Sequence, residues 1–393
     1  MKKLRVCILF GGKSGEHEVS LQSAKSIYEA LDKAKYEVFL VGIDKEGRWL
    51  LEDAANYLLN AENPKLIALN RANAKPVTAI TTEGGAELIA LNPSTPPRRG
   101  AGNNDNRLGA IDVFFPITHG TYGEDGCLQG FLELLDAAYV GPGVLGSAVG
   151  MDKDVMKRLL RDAGLPIGRF FVTLRPRKAS QRGGQAQGIT EQGRSGNIEE
   201  FIKEVGFPIF VKPANLGSSV GISKAKDEDE LRKAIEEAFL YDTKIILEEF
   251  IEGREIEVSV LGNENPEASL PGEVRSSHNF YSYEAKYIDE AGASYDIPAR
   301  LSADQISRVQ KLAERVFRTL ECFGMGRVDF FLRPTGEFVV NEINTLPGFT
   351  KISMYPKLWE ATGVPYSELL ERLIELALEK KREKDKLKRT FEP

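Results

Sequence analysis

Cysteine is scarce in this 393-residue chain, with three copies in all. Cys7, Cys127 and Cys322 are odd in number, far apart and without a CxxC pairing. That argues against a disulfide framework or structural zinc and fits a reducing cytosol. No apolar run approaches the roughly 20 residues of a membrane span. Neither charge sign dominates, since 52 Lys and Arg face 58 Asp and Glu for a net charge of −6. Neither nucleic acid nor an anionic membrane is therefore an expected partner. A Ser–His or Cys–His motif for covalent catalysis is also missing.

What is present is the composition of a soluble globular protein, 42% hydrophobic and 28% charged, in a chain long enough for two or three domains. Residues 1–10 run basic then apolar, as in a signal peptide. They pass into Gly11-Gly12-Lys13-Ser14 without a cleavage site, so the run reads as a first strand. Strands over 4–10, 36–44 and 112–117, with a helix over 19–32, predict an open, mainly parallel α/β sheet with sites at the strand C-termini. Residues 92–106 read as a loop. A helix is expected over 151–163, ended by Gly164 and Pro166. Residues 175–197, rich in Gly, Gln, Ser and Arg, read as a mobile surface segment. Beyond them the pattern is α+β: helices over 198–205 and 228–239 with strands over 207–212, 220–225, 244–250 and 255–261. The last third holds a helix over 302–321, strands over 327–333 and 337–344, and helices to the end, where 380–389 is a charge run.

Two motifs fail on inspection. Gly12-Lys13-Ser14 resembles a phosphate loop, but the glycine required five positions earlier is Cys7. Residues 141–146 fit GxGxxG, yet the acid about 20 residues on, Asp162, closes a helical stretch instead of a second strand.

The chemistry concentrates in the late strands. Arg327 and Asp329 are two apart and share a strand face, as do Glu342 and Asn344 on the next strand. Pairing these strands gathers hard oxygen ligands suited to Mg²⁺ bound together with phosphates. Lys212 ends an apolar strand before the small, flexible run Asn215-Leu216-Gly217-Ser218-Ser219-Val220-Gly221, which can fold backbone N–H groups over phosphates. Lys153 offers a second cation. Glu248, Glu249 and Glu255 beside Phe250 and Ile251 offer an acceptor edge and an apolar platform for a nucleoside.

In this order and over nearly the whole chain, these elements resemble the D-alanine–D-alanine ligase family of the ATP-grasp class. The likeness is carried by Gly11-Gly12-Lys13-Ser14-Gly15-Glu16-His17-Glu18-Val19-Ser20, His119-Gly120, Glu124-Asp125-Gly126 and Met151-Asp152-Lys153. It continues through Lys212-Pro213, Gly217-Ser218-Ser219-Val220-Gly221 and Tyr283-Glu284-Ala285-Lys286-Tyr287. Gly326-Arg327-Val328-Asp329 and Asn341-Glu342-Ile343-Asn344-Thr345-Leu346-Pro347-Gly348 complete it. The longer 175–197 segment and the Pro/Arg stretch at 93–99 depart from the family.

The resemblance implies an ATP-grasp fold in three parts: 1–142, a central 143–248 and a C-terminal 249–393, the last two clasping ATP. It implies a cytoplasmic homodimer that joins two D-alanines through a D-alanyl phosphate for peptidoglycan synthesis, with two Mg²⁺ or Mn²⁺. Lys153 and Lys212 would contact phosphates. Glu248, the Ile251 backbone and Glu255 would hold adenine and ribose, and Ser218, Ser219, Glu249, Lys286, Asn341 and Glu342 would add ATP contacts. Asp329, Glu342 and Asn344 would bind the metals. Glu18 would take the first D-alanine's ammonium near His119, while Ser353 and Lys286 take the second one's carboxylate. Arg327 and the Gly348 N–H would stabilise the oxyanion. Tyr287 and Ser218 would latch with Glu18 over the site. Ligases making D-Ala–D-lactate or D-Ala–D-Ser share the scaffold, but Glu284-Ala285-Lys286-Tyr287 resembles the D-Ala–D-Ala type. A non-catalytic nucleotide-binding module is the reading from another class.

Overall fold

The computed structural model describes residues 2–91, 106–175, 187–190, 195–217, 220–276 and 293–388. The loop expected at 92–106 lies outside them except for Asn106.

Three large sheets are built in chain order, besides a two-stranded pairing of Leu58–Leu59 with Ala68–Leu69 among the described residues. The first has seven strands, ordered Arg107–Ala110, Gly85–Ala90, Lys75–Thr82, Trp49–Leu51, Tyr36–Ile43, Leu4–Gly11 and Val113–Pro116. Leu4–Gly11 pairs in parallel with both of its neighbours, so the parallel winding read from the sequence holds at this end. Antiparallel strands extend the sheet from Trp49 onward. These additions were not expected. A signal for one pair was available, because Glu83-Gly84 joins runs that alternate Val77, Ala79 with Ala86, Leu88.

The helix His17–Ala30 covers one face of this sheet, as do Met354–Thr362 and Tyr366–Asp385 from the other end of the chain. Their shared core packs Val6, Ile8 and Phe10 with Tyr355, Trp359, Leu370 and Ile374. The other face receives the helix Cys127–Leu134 through Leu128 and Leu132.

The second sheet has six antiparallel strands, Ser195–Asn197, Gln187–Thr190, Phe170–Leu174, Lys244–Glu249, Ile209–Pro213 and Ser223–Ala225. Helices Ile198–Val205 and Glu228–Tyr241 pack on it through Phe201, Leu231 and Ala238. The segment expected to be loop thus contributes two strands at one edge of the sheet. Its polar composition hid them because an edge strand draws on backbone hydrogen bonds more than on buried side chains.

The third sheet runs Ala293–Asp296, Gly272–Ser276, Arg254–Gly262, Gly324–Leu332 and Phe338–Asn344, with Glu267–Ala268 against the middle strand. The helix Ala303–Thr319, started by a capping box of Ser302 and Gln305, buries one face of the sheet under Val309, Ala313, Val316 and Phe317. The opposite face carries the polar residues described next.

The helix expected over 151–163 is present as Lys153–Asp162, and a further helix, Val144–Met151, precedes it. Asp152 sits between them in extended conformation, and its side chain accepts from the Asp154 and Val155 N–H groups. A short acidic side chain satisfies exposed helix donors best at such a cap, so the chain restarts there.

Candidate active site

Alternation along Arg254–Gly262 sends Ile256, Val258 and Val260 into the core and leaves Glu255, Glu257 and Ser259 on the other face. Glu257 pairs across to Asp329, and Asp329 to Glu342, so three carboxyl groups lie in a row over adjacent strands. Arg327 and Asn344 form the next rung. A register shift at the Asp329/Phe330 pair then lets Val340 and Ile343 both face the core although they are three apart. That bulge leaves Asn341 half-buried beside the row.

Arg327 donates from Nε to Asp329 Oδ1 at 2.7 Å and from Nη2 to Oδ2 at 2.8 Å, while Asn344 Nδ2 donates to Oδ2 at 2.9 Å. Arg327 Nε also stands 2.9 Å from Glu257 Oε2. Glu257 was not singled out from the sequence, because only the strand register brings it to Asp329. Asp329, Glu342 and Asn344 supply the oxygens that a hard divalent cation takes. Among the described residues no group of three or more His, Cys, Asp and Glu could hold a metal by itself. A cation here would therefore draw further ligands from phosphates and water, as Mg²⁺ does.

The basic side is equally ordered. Lys153 opens its helix with Nζ donating to the Leu216 carbonyl at 2.8 Å and lying 3.8 Å from Glu342 Oε2. One turn on, buried Lys157 places Nζ 2.7 Å from Glu248 Oε1, and Lys212 Nζ is 2.5 Å from Glu248 Oε2. Burial alone would raise the Glu248 pKa, but Lys157 and Lys212 bring it down to about 2. Burial would lower that of Lys212, which Glu248, Glu342 and Glu255 nevertheless hold above its usual value. Lys157 also escaped the sequence reading, although its place four residues after Lys153 puts both on one helix face. Glu249 accepts from the Arg169 N–H at 3.0 Å and from Arg333 at 3.1 Å. The Ile251 side chain packs against Gly168.

A cleft joins these strands to the first sheet, lined by Glu16, His119, Glu124, Lys153, Gly217, Glu257, Tyr295, Arg327, Glu342, Asn344, Gly348 and Ser353 among others. Glu18, expected here, does not line it. Glu18 pairs with Lys45 at 2.7 Å, and this pairing outweighs burial to lower its pKa. Glu16 faces the cleft instead and is itself buried. Gly120, at φ +74°, packs against Glu16, since a Cβ there would stand 2.9 Å from Glu16 Oε2.

His119 Nδ1 lies 3.0 Å from the Leu346 carbonyl and 3.4 Å from Glu124 Oε1, and its Nε2 lies 3.3 Å from Ser23 Oγ. Burial would lower the His119 pKa, yet Glu124, Glu16 and the Leu346 carbonyl together raise it. Ser23 Oγ also accepts the Phe349 N–H at 3.2 Å. This serine, unremarked in the sequence, ties the first helix to the turn carrying Gly348. A Cβ on Gly348 would meet Ser353 Oγ at 2.7 Å, and Ser353 Oγ accepts the Thr350 N–H at 3.0 Å. Ser218, Ser219, Lys286 and Tyr287 lie outside the described residues. Asp329, Lys212, Glu248, Glu249, Ile251, Glu255 and Asn341 do not line the cleft and instead belong to the strands and turn around it.

Two family descriptions match the chain, the D-ala D-ala ligase N-terminus over residues 5–142 and the D-ala D-ala ligase C-terminus over residues 159–375. Over 387 residues it is 51% identical to a D-alanine–D-alanine ligase of Shouchella clausii, spanning 98% of this chain and 97% of that one. Among solved structures it resembles the D-alanine-D-alanine ligase from Coxiella burnetii, with TM-score 0.79, 38% identity and coverage of 98% and 97%. It also resembles a D-Ala:D-Ser ligase from Enterococcus faecalis, with TM-score 0.76, 32% identity and coverage of 96% and 100%.

Proposed function

The chain belongs to the D-alanine–D-alanine ligase family, an ATP-using ligase of ATP-grasp fold, and on that premise we propose how its own side chains carry the reaction. The observation that supports the assignment most is the row Glu257, Asp329, Glu342 beside Arg327 and Lys153, facing Glu16 and Gly348 across one cleft.

A carboxylate is a poor acyl donor, so the first D-alanine is activated by taking the γ-phosphoryl group of ATP. Such a transfer asks the protein for positioning and charge neutralisation more than covalent chemistry. Lys153 and Lys212 neutralise the phosphates, with Ser218, Ser219 and the Gly217 turn covering them. Adenine and ribose lie along Glu248, Glu249, Ile251 and Glu255, and Asn341 flanks them. Asp329, Glu342 and Asn344 would hold two Mg²⁺ or Mn²⁺, which supply electrostatic stabilisation of the transferring phosphoryl group.

Glu16, rather than Glu18, takes the ammonium of the first D-alanine, next to His119. Ser353 and Lys286 receive the carboxylate of the second. Its free amine attacks the acyl phosphate, and Arg327 with the Gly348 N–H meets the charge on the tetrahedral oxygen. Tyr287 and Ser218 close the site with Glu16 and keep water from the intermediate. The division into 1–142, 143–248 and 249–393, a homodimeric state and a cytoplasmic location belong to the same proposal. Three cysteines without a disulfide support the location.

The test uses D-alanine labelled with ¹⁸O in its carboxylate. Transfer of one label to the released phosphate is expected from the acyl phosphate; unlabelled phosphate would refute it.

A further inference from the structure

Glu257 has no part in the reaction as described, yet its place is unusual. It lines the cleft, is buried, and lies directly across from Asp329 on the neighbouring strand. Between these two carboxylates sits one guanidinium, with Arg327 Nε 2.7 Å from Asp329 Oδ1 and 2.9 Å from Glu257 Oε2. Asp329 is meanwhile heavily used: Arg327 donates to both of its oxygens, and Asn344 adds a bond to Oδ2. A carboxylate offers about four lone-pair sites, so a cation approaching Asp329 competes with these donors. Charge-assisted bonds to a half-buried guanidinium are costly to lose without a replacement.

We propose that Glu257 is a positioning residue that retains the Arg327 guanidinium when Asp329 turns its oxygens to a divalent cation. This rests on the reading of Asp329 as a cation ligand. Arg327 then exchanges one carboxylate for another without leaving the face on which the tetrahedral oxygen forms. Asp329 is released at small cost, because the charge of Arg327 stays compensated.

The experiment is a double-mutant cycle on Mn²⁺ binding, read from the free-Mn²⁺ electron paramagnetic resonance signal in the presence of ADP. Glu257→Gln is expected to weaken Mn²⁺ about tenfold while Arg327 is present, and by about twofold at most in an Arg327→Met background, where no guanidinium needs holding. Equal weakening in both backgrounds would mean that Glu257 acts on the cation itself and would overturn the inference. So would unchanged affinity in Glu257→Gln while Asp329→Asn loses Mn²⁺. If Asp329→Asn keeps full affinity, the cation reading fails and takes the inference with it. Thermal unfolding checks each variant. Should Glu257→Gln not fold, Glu257→Asp replaces it in the cycle, with a smaller weakening of the same sign.

Discussion

Lys212 and Glu248 meet at 2.5 Å on adjacent antiparallel strands, with Lys157 completing the cluster from the helix above. Removing the anion strands two buried ammonium groups. Glu248→Gln is therefore expected to destabilise the fold by roughly 3–5 kcal/mol, measurable by urea unfolding at neutral pH. A destabilisation below about 1 kcal/mol, the scale of an exposed pair, would contradict the burial of this cluster.

The same residue sets an acid limit. Folding moves the Glu248 pKa from 4.5 down to about 2, so the folded state holds its proton less tightly than the unfolded one. The stabilisation is complete above the unfolded value and disappears as pH falls through about 2. Wild type should lose stability between those values faster than Glu248→Gln does. Parallel slopes in unfolding curves over this range would refute it.

Glu16 and Glu18 give a contrast two residues apart. Glu16→Gln should lower kcat/KM for D-alanine by roughly 10–100-fold, the scale of one charge-assisted hydrogen bond of about 1.5–3 kcal/mol. Glu18→Gln breaks a half-exposed pair with Lys45 and should stay within about threefold. Steady-state kinetics on the two variants decide between them, and the reverse ranking would restore Glu18 to the site.

How much of this was legible in the sequence depends on which forces act. Arg327, Asp329, Glu342 and Asn344 announced themselves because spacing by two in an apolar strand puts side chains on one face. Glu257 obeys the same rule but becomes informative only when register sets it against Asp329. Which of Glu16 and Glu18 lines the cleft depends on the helix starting at His17, a boundary that motif matching does not fix. The two strands within 175–197 were hidden by their polar composition.

Those strands carry a further expectation. Gln187–Thr190 pairs with Phe170–Leu174, so deleting 187–197 uncovers the edge of a strand bearing buried Phe171 and Val172. Such a variant should show a lower Tm and concentration-dependent association in light scattering. Unchanged behaviour in both would mean that this pairing contributes nothing to the sheet.

Metal dependence should be strict. Glu342→Gln removes a charge and an oxygen ligand next to Lys153, and turnover at limiting Mg²⁺ should fall by about two orders of magnitude or more, with the fold intact by circular dichroism. Near-normal turnover would remove Glu342 from the cation site.

The most direct measurement follows ADP release with MgATP and, in turn, D-alanine, L-alanine, D-serine and D-lactate, with each product identified by mass. D-alanine alone should support rapid release, with one D-alanyl-D-alanine formed per ADP. ADP release that ignores D-alanine, or a mixed product with D-serine or D-lactate in preference to the dipeptide, would contradict the assignment.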